Sequence, residues 1–129
     1  MASEILVNDG GAPARILPFV ASAAITAGDF LDLHTDGKVR PLTSVTDKAL
    51  GVALTDAPAA NDPVNVITGS GVIVRVRQDD DLTTGNIAMA DTGAVGEIKA
   101  WADSSGNTEQ LCVVLENLDA DKMVKVLLF

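Results

Sequence analysis

The stretch that decides the fold is residues 72–77, which read Val-Ile-Val-Arg-Val-Arg. The three valines fall on one face of an extended chain, and Ile73, Arg75 and Arg77 fall on the other. An alternation with a period of two residues predicts a strand that buries one of its faces. The face with the two arginines is then expected to point to solvent or to a partner.

Short runs of the same kind lie on both sides of this stretch, separated by Gly, Asp, Asn and Pro. Between two of them, Asp36-Gly37 supplies the positive φ angles that a tight hairpin turn requires. Brief alternating runs broken by turn residues are typical of a β-sandwich or a barrel. Strands are therefore predicted at residues 31–34, 38–41, 49–55, 63–68, 72–77, 86–90, 97–101, 111–116 and 123–129.

The sequence resembles itself after a shift of about 57 to 61 residues. Residues 27–30, 50–54 and 64–67 resemble, in that order, residues 84–87, 111–115 and 124–127. Each unit is too short to bury its own apolar face well, so two copies are expected to share one core. The predicted fold is all-β, a compact β-barrel or β-sandwich-like domain built from two related β-units.

The N-terminal 27 residues differ from the rest because they hold a Gly-Gly pair, two prolines and two apolar clusters. Pro18 and the β-branched residues that follow it leave the alanines at 21–24 too short a window for a helix. We therefore predict an extended N-terminal arm over residues 1–27 and a β domain over residues 28–129.

The composition bounds the class of protein. A chain of 129 residues is long enough for one domain. No apolar run approaches the roughly 20 residues of a membrane-spanning helix. Residues 1–8 lack the basic start of a secretory signal, so we expect synthesis in a cytoplasm and no membrane partner. Nine basic and eighteen acidic residues give a net charge of −9, which disfavours binding to nucleic acid.

No catalytic residue, metal site or cofactor is predicted, and we expect that the chain is not an enzyme. The sequence has no nucleophile elbow, phosphate-binding loop or dinucleotide motif. His34, the single histidine, lies beside a predicted turn, where a solvated role is favoured. Cys112 is flanked by Leu and Val and is predicted to be a buried, inert thiol. The carboxylates of residues 79–81 point alternately in an extended chain, which disfavours a calcium site.

A series of segments resembles the capsid cement family of tailed phages. The resemblance lies in residues 27–31, 36–41 and 49–57, and it continues through 62–66 and 70–72. It covers about residues 25–77, with a weaker echo in 84–129. Residues 31–40 followed by 50–53 are also similar to the lambdoid head-decoration family. The resemblance implies a barrel-like β core and a structural role in the virion.

The resemblance further implies a protein on the capsid exterior, commonly a homotrimer, which binds the major capsid protein and staples neighbouring capsid subunits. The arm could extend up to about 90 Å and reach an adjacent capsomer. Burial of its apolar side chains could offset the entropy of ordering it. The residues predicted to bind the capsid are Ile5, Leu6, Val7, Arg15, Ile16 and Leu17.

One alternative from a different class stays open, namely a ligand-binding or receptor-binding β-module of a viral fibre or tail. Such modules often stack aromatic side chains on their ligand, whereas this chain has three Phe, one Trp and no Tyr. The scarcity of aromatic residues favours the capsid-binding interpretation.

Overall fold

The computed structural model describes residues 5, 14–43, 49–78, 82–91, 96–101, 110–117 and 123–129. These residues form strands and turns in two antiparallel five-stranded sheets, which confirms the all-β prediction. Sheet 1 contains β1 (Arg15–Val20), β2 (Phe30–Leu33), β3 (Val39–Pro41), β4 (Gly51–Ala53) and β5 (Pro63–Thr68). Sheet 2 contains β6 (Ile73–Arg77), β7 (Ile87–Ala90), β8 (Ile98–Ala100), β9 (Cys112–Asn117) and β10 (Met123–Leu128).

The two sheets have the same topology. Sheet 1 has the strand order β1-β5-β4-β2-β3, and sheet 2 has the order β6-β10-β9-β7-β8. A parallel bridge also links Ala21, just after β1, to Val39 in β3, and the equivalent bridge links Gln78 to Ile98 in sheet 2. Because each bridge joins the two outermost strands of its sheet, each sheet curls toward a small barrel. The predicted pair of related units is confirmed; unit 1 spans residues 15–68 and unit 2 spans residues 73–128.

The turn before the second strand of each unit carries the clearest local repeat. Residues 26–29 and 83–86 both read Thr-x-Gly followed by Asp or Asn. In both turns the fourth residue donates its N–H to the carbonyl of the first at 3.0 Å. Gly28 and Gly85 have φ angles of 95° and 92°, a backbone conformation that glycine adopts without steric cost. The repeat therefore extends to the conformation of single residues.

Part of the predicted arm lies in sheet 1. β1 pairs with β5 over six residue pairs, from Arg15 opposite Thr68 to Val20 opposite Pro63. Ile25 is 3% exposed and belongs to the core of unit 1. The sequence predicts extended backbone for residues 1–27, and an extended segment and an edge strand have the same backbone conformation. The boundary between arm and domain at residue 28 stays a prediction.

Sheet 1 is buried on both faces at its centre. Successive residues Phe30 and Leu31 of β2, like Val52 and Ala53 of β4, enter two different hydrophobic clusters. Since successive side chains of a strand point to opposite faces, the two clusters lie on opposite sides of sheet 1. The cluster that contains Phe30 and Val52 also contains the three valines of residues 72–76, so the two sheets share one core.

The β2–β3 hairpin departs from a simple inward and outward alternation. Leu33 is 53% exposed, although it lies two residues from the fully buried Leu31. Asp32 is buried instead, and its carboxylate accepts a hydrogen bond from Nε of Arg40 at 3.0 Å. A buried carboxylate is tolerated when a charged donor compensates for its lost hydration.

We predict that Gly51→Ala destabilises the fold by about 1–3 kcal/mol or more, because of overpacking. A Cβ at this position would overlap the carbonyl oxygen of Ile67 and lie 2.9 Å from Cγ1 of Val66. The matched control is Gly37→Ala, whose Cβ meets nothing within 4 Å. The free energy of unfolding of that variant should fall by only about 1–2 kcal/mol, the cost of alanine in a left-handed backbone conformation. Urea denaturation measures both changes, and equal losses would contradict the prediction.

Candidate functional site

A charged cluster joins the two units. Arg77, at the end of β6, donates hydrogen bonds from its two terminal nitrogens to Asp29 and Glu97, each at 2.6 Å. Asp29 belongs to unit 1 and stands in the turn before β2, whereas Glu97 belongs to unit 2 and precedes β8. The side chains of both acids are largely buried. We call these three residues the junction cluster.

Backbone hydrogen bonds surround the junction cluster. Gly96 donates its N–H to the carbonyl of Leu42 at 3.2 Å and accepts from the N–H of Phe30 at 3.0 Å. Gly28 accepts from the N–H of Arg77 at 3.1 Å. A Cβ on Gly96 would lie 2.6 Å from Cγ of Asp29. The segments around residues 29 and 96 approach so closely at this point that residue 96 must be glycine.

Burial raises the pKa of the Asp29 carboxyl above its ordinary value of 3.8. A hydrogen bond from the backbone N–H of Thr26 and the interactions with Arg77 oppose this shift, and the nearby charge of Asp56 adds to it. Loss of hydration outweighs the favourable partners. The junction cluster fixes one unit against the other, and each of its two carboxylates is held by Arg77, so its geometry fits a structural role.

A cleft of about 340 Å³ lies between the units. Among the residues that the structure describes, its lining is apolar or uncharged and includes no ionisable side chain. The lining residues are Phe30, Ala49, Leu50, Gly51, Gly69, Ser70, Gln110, Leu111, Leu128 and Phe129. Acid–base or nucleophilic chemistry requires a group that can transfer a proton or attack a substrate. The described part of the cleft offers shape, main-chain polarity and the uncharged polar side chains of Ser70 and Gln110.

The residues that the sequence singled out for chemistry are dispersed. Cys112 is fully buried in sheet 2, which confirms its predicted burial, and burial raises the pKa of its thiol to about 12. The inertness of the thiol stays a prediction. His34 is half-buried after β2 and donates its backbone N–H to the carbonyl of Lys38 at 2.7 Å. Residues 79–81 lie outside the described part of the chain.

The described ranges of the chain bear on metal binding and on membrane crossing. Within these ranges, no three His, Cys, Asp or Glu side chains come together as a metal site. Across the same residues, no helix combines the length and hydropathy needed to cross a membrane.

The structure places the predicted capsid-binding residues in two locations. Arg15, Ile16 and Leu17 lie together on β1, where the first two are exposed and Leu17 is half-buried. Ile5 is 4% exposed in the shared core, and its carbonyl accepts a hydrogen bond from the N–H of Arg75 in β6 at 2.7 Å. Leu6 and Val7 lie outside the described residues. The capsid-binding role of all six stays a prediction.

β1 presents an exposed apolar surface. Ile16 is 48% exposed and Val20 is 41% exposed, and Pro18 between them is also exposed. Because these residues alternate along the strand, their side chains share one face, and exposed Pro63 lies opposite Val20 in β5. We call Ile16, Pro18, Val20 and Pro63 the β1 face. Sequence reasoning found Ile16 and missed the others, for which a pairing register was needed.

Pro18 determines how the β1 face can bind. Ala21 donates its N–H to the carbonyl of Asp62, on the β5 side, and Ser22 donates toward Val39 on the other side. By alternation, the backbone nitrogen of Pro18 faces the open edge of β1. Proline has no N–H, so its position at this edge costs no ladder bond and discourages the addition of another strand. The β1 face is therefore suited to contacts between side chains.

Comparison with solved structures found a similar fold in the N base of the head fiber gp8.5 of bacteriophage phi29. The TM-score is 0.67 at 15% sequence identity, and the likeness covers 91% of this chain and 95% of that chain. The two proteins therefore share a fold over nearly their whole lengths. No protein-family model and no curated protein sequence matched this chain.

We predict that wild-type protein gains stability relative to Asp29→Asn as the pH falls. The folded state binds the Asp29 proton more tightly than the unfolded chain does, because its pKa is raised. This gain is fully present below about pH 3.8 and is lost as the pH rises through the raised pKa. Asparagine keeps the side-chain acceptor of the turn, as Asn86 does toward the N–H of Thr83 at 2.9 Å.

Urea denaturation of both proteins between about pH 7 and about pH 3 tests this expectation. Comparing the two proteins at each pH removes the common effect of the other carboxyl groups. A wild-type advantage that shrinks as the pH falls would contradict the raised pKa.

Proposed function

We propose that this chain is a structural virion protein that binds the outside of an assembled capsid. In this role it is a decoration, or cement, protein that stabilises contacts between neighbouring capsid subunits. The observation that carries the proposal is the likeness of the whole fold to the N base of a phage head fiber. The resemblance of residues 25–77 to the capsid cement family supports the same role independently of the structure.

The head-fiber likeness also favours a second candidate, in which the chain is the capsid-attached base of a fibre. Both candidates require a surface that binds the capsid. They differ in whether the chain also presents a module that binds a ligand or receptor. In the fibre role, the cleft between the units is a candidate ligand site. A thermal-shift screen with glycans that raises the midpoint of unfolding would favour the fibre role.

In either role the chain acts through its surfaces, and we propose no enzymatic activity. The junction cluster holds its charges in mutual ion pairs, and the cleft between the units is lined without ionisable groups. The proposed partner is the major capsid protein, and the proposed assembly is a homotrimer. Fifteen per cent identity supports a fold and carries no residue roles, so the attachment surface must be argued from this chain itself.

The β1 face is the best candidate for capsid attachment in the described structure. It places exposed aliphatic carbon next to the exposed cation Arg15, at the side of unit 1. Burial of aliphatic surface contributes about 25 cal/mol per Å², so two largely covered side chains supply a few kcal/mol. Large exposed aliphatic residues that lie side by side mark an interaction site more often than single ones do.

We predict that Ile16→Asp weakens capsid binding by about tenfold or more, because it places a charge in the contact. The matched control is Leu33→Asp, since Leu33 is exposed to a similar extent but lies on the β2–β3 hairpin. Co-sedimentation of purified protein with mature capsid shells of the cognate virus measures both.

Each outcome of the co-sedimentation assay has one interpretation. Binding by wild type that is lost in Ile16→Asp and kept in Leu33→Asp supports the β1 face. Equal binding by all three proteins would show that attachment uses another surface. Failure of the wild-type protein to bind any shell of its own virus would contradict the proposed function.

A further inference from the structure

Sheet 2 carries an apolar row on the face that points away from sheet 1. Ile73, Leu127, Val113 and Ile87 are neighbours in the registers of β6, β10, β9 and β7. All four are partly exposed, whereas the alternating residues on the opposite face are buried. We call these four residues the sheet 2 row. It crosses four adjacent strands and forms a continuous aliphatic surface.

The equivalent row in unit 1 is already a packing surface. Ile16, Ile67, Val52 and Phe30 have the same register relations in β1, β5, β4 and β2. Ile67, Val52 and Phe30 are at most 2% exposed because the inner face of sheet 2 covers them. The same position in the repeated unit is thus covered in sheet 1 and open in sheet 2.

The charge around the sheet 2 row is opposite to that of the chain. Arg75 and Lys125 lie on the same face of β6 and β10, and Lys99 lies on that face of β8. Glu116 supplies a carboxylate there, paired with Lys125 at 3.1 Å, and Glu97 supplies another, paired with Arg77 of the same face at 2.6 Å. Cations therefore exceed carboxylates on the described part of this face, in a chain whose net charge is −9.

This charge decides which partner fits. If two copies placed their sheet 2 rows against each other, the flanking cations would repel. A complementary partner must instead combine small apolar groups with carboxylates. The loop of residues 56–62 in unit 1 has this composition, because Pro58, Ala59 and Ala60 are exposed between Asp56 and Asp62.

The loop is held in a defined shape by hydrogen bonds within unit 1. Asp62 accepts a hydrogen bond from the N–H of Ala59 at 3.0 Å, and Asp56 accepts from the N–H of Ala27 at 2.7 Å. Ala57 belongs to the cluster on the side of sheet 1 that faces away from sheet 2. The exposed residues 58–60 are thus presented by unit 1 and the sheet 2 row by unit 2, so a second copy can bring its loop to the row.

We propose that the sheet 2 row, with its flanking cations, binds the 56–62 loop of a second copy of this chain. The contact joins two different surfaces, so it is heterologous, and it closes into a ring when the rotation between copies allows. This contact does not depend on capsid binding. It supplies a physical route to the homotrimer that the family resemblance implies.

The test is the mass of the purified chain in solution, measured by sedimentation equilibrium over a range of concentrations. Wild type is expected to associate. Lys99→Glu and Ala60→Lys each place like charges in the contact, and each should weaken association by about tenfold or more. Arg15→Glu makes the same charge change outside the contact and should associate as wild type does.

The decisive variant combines Lys99→Glu with Ala60→Lys in one chain. In every contact between copies the new glutamate then meets the new lysine, so association should return toward the wild-type level. Circular dichroism of the variants checks that these surface changes preserve the fold. A wild-type chain that stays monomeric, a Lys99→Glu variant that associates normally, or a double variant that is no better than the single ones would each overturn the proposal.

Discussion

The face of sheet 1 that carries Phe30 and Val52 packs against the face of sheet 2 that carries the valines of residues 72–76. The rest of the structure depends on this contact. It removes Phe30, Val52 and Ile67 from water, at about 1.5–3 kcal/mol for each large side chain. Hydrophobic burial alone does not fix how the two sheets are oriented. The junction cluster adds that constraint, because Arg77 fits only where Asp29 and Glu97 meet. Two short units that could not each enclose a sufficient core thereby become one domain.

Sequence periodicity was sufficient for much of the fold. All nine predicted strands occur, with ends shifted by a few residues, and the repeat predicted the shared topology. The arm prediction rests on the Gly-Gly pair, the two prolines and the apolar clusters of residues 1–27, and it does not specify the pairing of β1 with β5. The internal repeat contains the signal for the β1 strand, since residues 72–77 align with residues 15–20 after a shift of 57 positions. The junction cluster could not be predicted, because its three members are distant in sequence and meet only through packing.

The candidate surfaces follow from the same duplication. Two equivalent rows occupy different environments, since one is covered within the chain and the other faces outward. The β1 face arises because β1 is an edge strand of sheet 1. Its counterpart in sheet 2, β6, instead donates backbone hydrogen bonds to the carbonyls of Ile5 and Gly28. A duplicated unit thus gains distinct surfaces without new folds. The capsid-binding function that we propose needs such surfaces, because a protein in that role joins other subunits.

The central claim is that the two units share one core and unfold as one. Amide hydrogen exchange, followed residue by residue at increasing urea concentration, tests this claim most directly. Amides of β4 in unit 1 and β10 in unit 2 should converge on the same free energy of opening. If the amides of unit 1 exchange through a separate opening at distinctly lower free energy while β10 stays protected, the units are independent and the account is wrong.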